Sequence, residues 1–342
     1  MKKRTLLILL FILSKFCATA QTQRQLFENS YVLLNKMITD QNSYCFKKAV
    51  FSVENAYLNN QLDTIFLDQK INNLKNLSTA LVRERQLTYS ERDAVIVNKR
   101  AAIFAVMCDT IPVDNNGKIY KHLPMHYDFN DVFGHKNREN LFVSKLLETN
   151  TGNCHSMPYL YKILAEEIGI DAHLALSPNH VYIKHQSVED GWYNTELTSG
   201  IFPIDAWIMA SGFVHIDAIT NGVFMKALNN KESIALLLID LAENYNVLFP
   251  ENNGDFVLKC CESALIQYPN FATALILKAE TKYNQLRKEK DAVKQDLLFK
   301  NLEKEYAYIH KIGYRNMPEN IYLDWLISLK TEKSKYENKS LK

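Results

Sequence analysis

The stretch from Thr151 to Gly200 constrains the fold more than any other part of this chain. After Cys154, the residues Tyr159, Ile163, Leu164 and Ile168 recur at helical spacing, and Gly169 stops the run. Ala172 to Leu176 is short and strand-like. Val181 to Lys184 alternates as a strand does, and Trp192 to Leu197 is a further strand beyond the polar turn Ser187 to Gly191. A hairpin on a sheet packed against one helix is an α+β arrangement.

The polar residues of this stretch come in a chemically suggestive order. Cys154 stands at the start of the helix, where exposed N–H groups and the helix dipole favour a thiolate. The same N–H groups are candidates for holding a developing oxyanion. His180 follows Ser177-Pro178-Asn179 at the mouth of a strand and is the candidate base. If the hairpin pairs Lys184 with Trp192, His180 falls opposite Glu196 and on the same face. Glu196 would then orient the imidazole, and Asn194 has the parity for a weaker version of that task. A slip of one residue would turn both away. The expected catalytic set is therefore Cys154, His180 and Glu196. Asn194, Asn153, His155 and Trp192 are the supporting candidates. His155 projects about 100° from Cys154 on a helix, so it lines the cleft rather than serving as base. His185, close to the turn, is expected in solvent. Neither HExxH nor CxxC occurs, so the site residues call for no metal and no cofactor.

The N-terminus reads as an export signal. Lys2, Lys3 and Arg4 precede an apolar run from Thr5 to Leu13, and Ala18-Thr19-Ala20 offers small residues for cleavage before Gln21. The run is short for a membrane span, and an uncleaved anchor is the alternative. Cleavage removes four basic residues and no acid, which leaves 36 basic against 38 acidic residues. That balance argues against nucleic acid as a partner. The expectation is an exported protein, periplasmic or secreted, with no stable membrane insertion once the signal is gone. Five cysteines then remain, an odd number, so at least one thiol stays unpaired within the chain. Cys154 is the choice. Cys45 with Cys108 is an open pairing, whereas neighbouring Cys260 and Cys261 diverge on a helix.

Residues 21–125 read as a mostly helical N-terminal part, with 109–131 rich in turn signals: Pro112, Asn115-Asn116-Gly117 and Pro124. Asn140 to Leu147 reads as a short helix. Residues 126–225 carry the thiol, and 230–332 are helical again. There ALIQYPNFATALILKAE has the small residue, the helix-ending proline and the prompt restart of a tetratricopeptide repeat junction. Residues 333–342 read as a charged, frayed tail.

At these residues the chain resembles the transglutaminase-like superfamily, whose fold is papain-like. GNCHSMPYLYKILAEEIGIDAHLA is similar to its nucleophile helix and following strand. NHVYIKH is similar to its histidine strand, and WYNTELTSG to its third strand. FGHKNRENLFVSKLLETNTGNC, followed by helical repeats, is closest to bacterial SirB-like transglutaminase-fold proteins with tetratricopeptide repeats. The resemblance implies Cys154 as nucleophile, His180 as base and Glu196 in a position that usually holds aspartate. It also implies a peptide or protein substrate, with peptide or cell-wall amides suited to an exported enzyme. A non-catalytic scaffold that binds a peptide or protein partner through the tetratricopeptide-like helices is the alternative, since a fold does not fix a function.

Overall fold

The computed structural model describes residues 22–85, 87–115 and 117–338. The export signal expected at 1–20 lies outside them. Four helices come first: α1 (22–39), α2 (Phe46–Tyr57), α3 (Thr64–Glu84) and α4 (Ala94–Cys108). Their apolar residues recur every three or four positions, as in Leu67, Ile71, Leu74 and Leu81 of α3, so each helix buries one stripe. Asp63 caps α3, its side chain accepting from Phe66 N at 3.0 Å.

The next segment differs from its sequence reading. Between 109 and 131 the chain forms a hairpin of β1 (Ile111–Asn115) and β2 (Lys118–His122). Gly117, at φ 83°, makes the turn that its sequence announces. β2 carries no alternation signal, because Lys118 to Lys121 are all exposed, and β1 alternates over four residues alone, from Ile111 to Asp114. A short β3 (His126–Tyr127) then runs parallel to β4 (Thr151–Gly152). Between them lie a 3-10 turn (Arg138–Leu141) and α5 (Val143–Thr149). Buried Glu54 of α2 accepts from Val143 N at 2.7 Å and Ser144 N at 3.0 Å, which fixes α5 by its N-terminus. Burial nevertheless raises the Glu54 carboxyl to about 7, against the opposing effect of those bonds.

The central helix α6 (Ser156–Glu167) packs on a three-stranded antiparallel sheet, β5 (His173–Ser177), β6 (His180–Ser187) and β7 (Gly191–Thr195), with β6 in the middle. The α+β character is therefore present. Two short helices follow, α7 (Asp205–Met209) and α8 (Ile216–Thr220). The C-terminal part is helical: α9 (Asn230–Leu248), α10 (Asp255–Gln267), α11 (Ala272–Lys288), α12 (Ala292–Lys311), α13 (Glu319–Thr331) and α14 (Lys333–Tyr336). Asn229 and Glu232 close a reciprocal capping box on α9. Each of α9 to α12 packs on its neighbour in sequence.

The N-terminal and C-terminal helices share one apolar core with α6. Phe27 of α1 meets Tyr245, Phe249 and Phe256 edge to face. Tyr31 joins Ser263 of α10 through their hydroxyls at 2.9 Å. The start of the charged tail, expected to fray, is docked instead. Tyr336 is buried, its carbonyl accepts from Ile204 N at 2.7 Å, and Asn338 N donates to Phe202 O at 2.7 Å. The reason is an exposed backbone edge at 202–204 that pairs with the returning chain. Among the described residues, no helix is long and apolar enough to cross a membrane.

Candidate functional site

Cys154 lies in the turn immediately before α6, two residues ahead of its first helical position. Asn153 builds that turn. Its Oδ1 accepts from His155 N at 2.9 Å and Ser156 N at 3.2 Å, and its Nδ2 donates to Val132 O at 3.1 Å. Asn153 O accepts from Met157 N at 3.1 Å. These bonds correct one expectation. The N–H groups of His155, Ser156 and Met157 are already taken, because asparagine caps the helix internally. The Cys154 amide is the helix-start donor that Asn153 does not cap.

His180 opens β6 directly after a two-residue turn. Ser177 pairs with His180, and Pro178 and Asn179 span the bend. Asn179 takes φ 56°, a left-handed value that asparagine tolerates well. Its carbonyl lies 3.9 Å from Cys154 Sγ.

The register of β6 and β7 is a second correction. Lys184 pairs with Asn194, not Trp192, and Ser187 pairs with Gly191. Three residues, Val188 to Asp190, make the loop, and Gly191 at φ 67° completes it. The expected pairing would also have left a three-residue loop, at 187–189; the observed loop sits one residue further on, because Ser187 is still paired, with Gly191. The slip is by two residues, so every side chain keeps its face. Glu196 consequently stands diagonal to His180 rather than opposite, just beyond the paired part of β7, bridged to Ile201. The longer arm of glutamate covers the diagonal: His180 Nε2 donates to Glu196 Oε2 at 2.6 Å. Glu196 Oε1 is held by Thr198, through its N at 2.8 Å and its hydroxyl at 2.6 Å.

The other face of the imidazole meets a residue that sequence reading missed. Tyr322 of α13 places its hydroxyl 3.0 Å from His180 Nδ1 and 3.2 Å from Cys154 Sγ. An unbroken hydrogen-bonded chain therefore runs from Thr198 through Glu196, His180 and Tyr322 to Cys154. Aromatic rings surround it. Trp207 and Trp325 stack on each other at 4.3 Å and both meet the His180 ring edge-on, and Tyr182 lies parallel to that ring. Trp325 Nε1 donates to Trp207 O at 2.8 Å. Tyr127 of β3 joins the same cluster. Burial and the neighbouring Cys154 charge hold its phenol well above the ordinary value.

Electrostatics follow from this enclosure. Burial alone would raise the Cys154 thiol, but the hydrogen bond and charge of His180, aided by Tyr322, outweigh it and leave the thiol below its ordinary value. Burial would likewise lower His180, yet the charge of Glu196 and the partnership with Cys154 raise it to about 10. The Glu196 carboxyl is pushed up by burial and brought down further by the His180 charge and the Thr198 bonds, ending below its ordinary value. All three directions favour a thiolate–imidazolium pair backed by a carboxylate over the neutral thiol and imidazole.

One side of Cys154 and His180 faces a cleft of about 1110 Å³ that is open to solvent. Its far wall comes from the C-terminal helices, with Leu236, Ile239, Asp240 and Glu243 of α9. His155 does line this cleft, as expected. Its Nε2 lies 3.0 Å from Asp240 Oδ2, which also accepts from Tyr159 OH at 2.9 Å. Burial lowers and Asp240 raises the His155 imidazole, with a net rise.

Three other expectations fail. Asn194 donates to Pro203 O at 3.0 Å and Asp205 Oδ1 at 2.8 Å, and so supports the following loop instead of His180. Trp192 is 48% exposed and meets His173 edge-on, away from the thiol, because its position puts it on the outer face of β7. His185 is buried against Tyr161, whose hydroxyl is 3.0 Å from its Nε2, because β6 extends three residues beyond the expected strand and carries it inward. Cys45, Cys108, Cys154, Cys260 and Cys261 are all free thiols. Among the described residues, no group of three or more His, Cys, Asp or Glu side chains is placed to hold a metal ion.

Thr198 was within reach of sequence reading, as a hydroxyl two positions after the acid. Tyr322 was not, since 168 positions separate it from Cys154 and nothing local marks it. No family model, no curated protein and no solved structure matches the chain.

Proposed function

We propose that this is an exported thiol protein with a transglutaminase-like, papain-like core and tetratricopeptide-like C-terminal helices, which hydrolyses or transfers a peptide or cell-wall amide. The observation that carries the reading is the chain from Glu196 through His180 to the depressed Cys154 thiol. Cys154 Sγ attacks the amide carbon, and the carbonyl electron pair moves onto oxygen. The Cys154 amide is the available donor for that oxyanion. As the tetrahedral adduct collapses, the C–N bond breaks and His180 Nδ1 delivers its proton to the leaving amine. The thioester that remains is opened by water or a second amine. His180 takes one proton from that nucleophile, and the thiolate leaves. Glu196 keeps Nε2 protonated and stabilises the imidazolium throughout.

The test is a denaturing mass measurement after incubation with a peptide-amide library. A Cys154-linked acyl adduct that accumulates in the wild type and disappears in Cys154→Ala supports the mechanism. Turnover retained in Cys154→Ala eliminates it.

Two observations favour the scaffold reading: Cys154 is 7% exposed, and the α9 wall of the cleft offers apolar Leu236 and Ile239 beside acidic Asp240 and Glu243. Peptide binding that survives Cys154→Ala, without any adduct in the wild type, would establish a non-catalytic peptide- or protein-binding role.

A further inference from the structure

The thiol centre is covered by the chain's own C-terminus, and that cover lies where a leaving group has to go. This inference rests on the acyl-transfer reading above. Proton delivery requires the leaving amine to sit within hydrogen-bond reach of His180 Nδ1 while its carbon is bound to Sγ. The Tyr322 hydroxyl fills that place, bonded to both atoms. Tyr322 has no solvent exposure and is wedged between Phe133 and Trp325, with ring centroids at 5.3 and 5.8 Å. Its side chain cannot swing aside while α13 stays where it is.

The segment carrying it is built as a strap. Gly313, at φ 90°, packs its Cα against the backbone of Asp217 and Ala218, where a Cβ would not fit, so the chain is pinned there. An extended linker from Tyr314 to Pro318 follows, then α13 and α14. Beyond the pin, the strap is tied to the body by a few bonds: Asn179 Nδ2 to Met317 O at 2.8 Å, Trp325 Nε1 to Trp207 O, and the pairing of 336–338 with 202–204. To these are added the exposed His135–Glu319 pair at 2.8 Å, the two bonds of the Tyr322 hydroxyl, and apolar contact of Tyr322, Trp325, Leu326 and Leu329 with the aromatic cluster. The strap reaches the wall of the open cleft at Tyr314, whereas Tyr322 is not part of that wall.

We infer that residues 314–338 are an autoinhibitory strap, with Tyr322 as the plug, and that turnover requires α13 to lift from Cys154 and His180. The segment acts as a stand-in for the leaving-group side of the substrate and is displaced by it.

Full-length wild type, Trp325→Ala and Tyr322→Phe would be treated with iodoacetamide and with a bulky fluorescein maleimide, and modification of Cys154 followed by peptide mass mapping. Loosening the strap through Trp325→Ala should accelerate the maleimide reaction tenfold or more and the iodoacetamide reaction less. Tyr322→Phe, which keeps the packing, should not accelerate the maleimide. Equal rates for wild type and Trp325→Ala with both reagents, together with a depressed thiol pH profile, would overturn the strap and leave the acyl-transfer reading standing. An ordinary thiol profile in every protein would remove both. Should Trp325→Ala fail to fold, hydrogen exchange on the wild type decides. Cys154 carrying the bulky adduct should speed exchange over 319–331 at least tenfold while α6 stays protected. Unchanged exchange there would overturn the strap.

Discussion

Two regions of this molecule bury cysteine, with opposite consequences. In α10, Cys260 and Cys261 have no solvent exposure. Burial, and for Cys260 the neighbouring Cys261, raises both thiols, Cys261 to about 12. They are inert apolar side chains in the seam between helices. Cys154 is nearly as buried, yet its thiol is lowered. The difference is the company. Around Cys260 the contacts are apolar, whereas Cys154 has an imidazolium whose own charge is secured by Glu196. Burial in low dielectric disfavours an isolated charge, but it strengthens the interaction within a pair.

Mutations can break this contrast, beginning with its largest expression. Cys154→Ala should reduce amide turnover by ~10⁴-fold or more, in line with removal of a covalent nucleophile. Cys260→Ala should leave turnover intact and lower stability by about 1 kcal/mol, read from urea denaturation. Equal loss of turnover in the two variants would erase the distinction.

His180→Ala should turn Cys154 into a cysteine of the Cys260 kind. Its alkylation rate at neutral pH should fall by ~10³-fold, with the rise in rate displaced above the ordinary thiol value. In the wild type the signs run the other way. Nucleophilicity is lost as pH falls through the lowered Cys154 value, and proton delivery is lost as pH rises through about 10, where His180 deprotonates. Turnover against pH should therefore be a bell whose alkaline limb disappears from simple alkylation, which needs no proton.

Glu196→Gln sharpens the comparison by keeping shape and removing charge. Loss of an adjacent carboxylate lowers an imidazolium by about two units, so the ion pair and turnover should drop by ~10²-fold. Direct titration of His180 by NMR checks the direction. An unaltered His180 titration would mean that Cys154, not Glu196, holds it up against burial. The smallest effect belongs to Trp192→Ala. Its ring is outside the aromatic cluster around His180, so turnover should be unchanged and stability should shift by less than about 0.5 kcal/mol.

The legible part of the site was local. Apolar spacing after Cys154 marked α6, and Pro178-Asn179 marked the turn that presents His180. Parity placed Glu196 on the face of His180 even though the register was off by two, because a strand repeats every second residue. The β1–β2 hairpin escaped because β2 is exposed along its length and β1 alternates over four residues alone, too short a pattern to read as a strand. Asn194 escaped because parity fixes a face but not the partner a side chain finds there; Pro203 and Asp205 were nearer.

The sequence by itself determined α6, the turn before β6 and the order of the thiol, the imidazole and the acid, since helical and strand periods and turn residues act over a few positions. Only the tertiary structure decided the chemistry of the enclosure. Folding brings Tyr322 to Sγ and Nδ1, closes Trp207 and Trp325 over the ring, and sets α9 as the far wall of the cleft. Those contacts join residues far apart in the chain, and their strength depends on the exclusion of water, which no local pattern encodes.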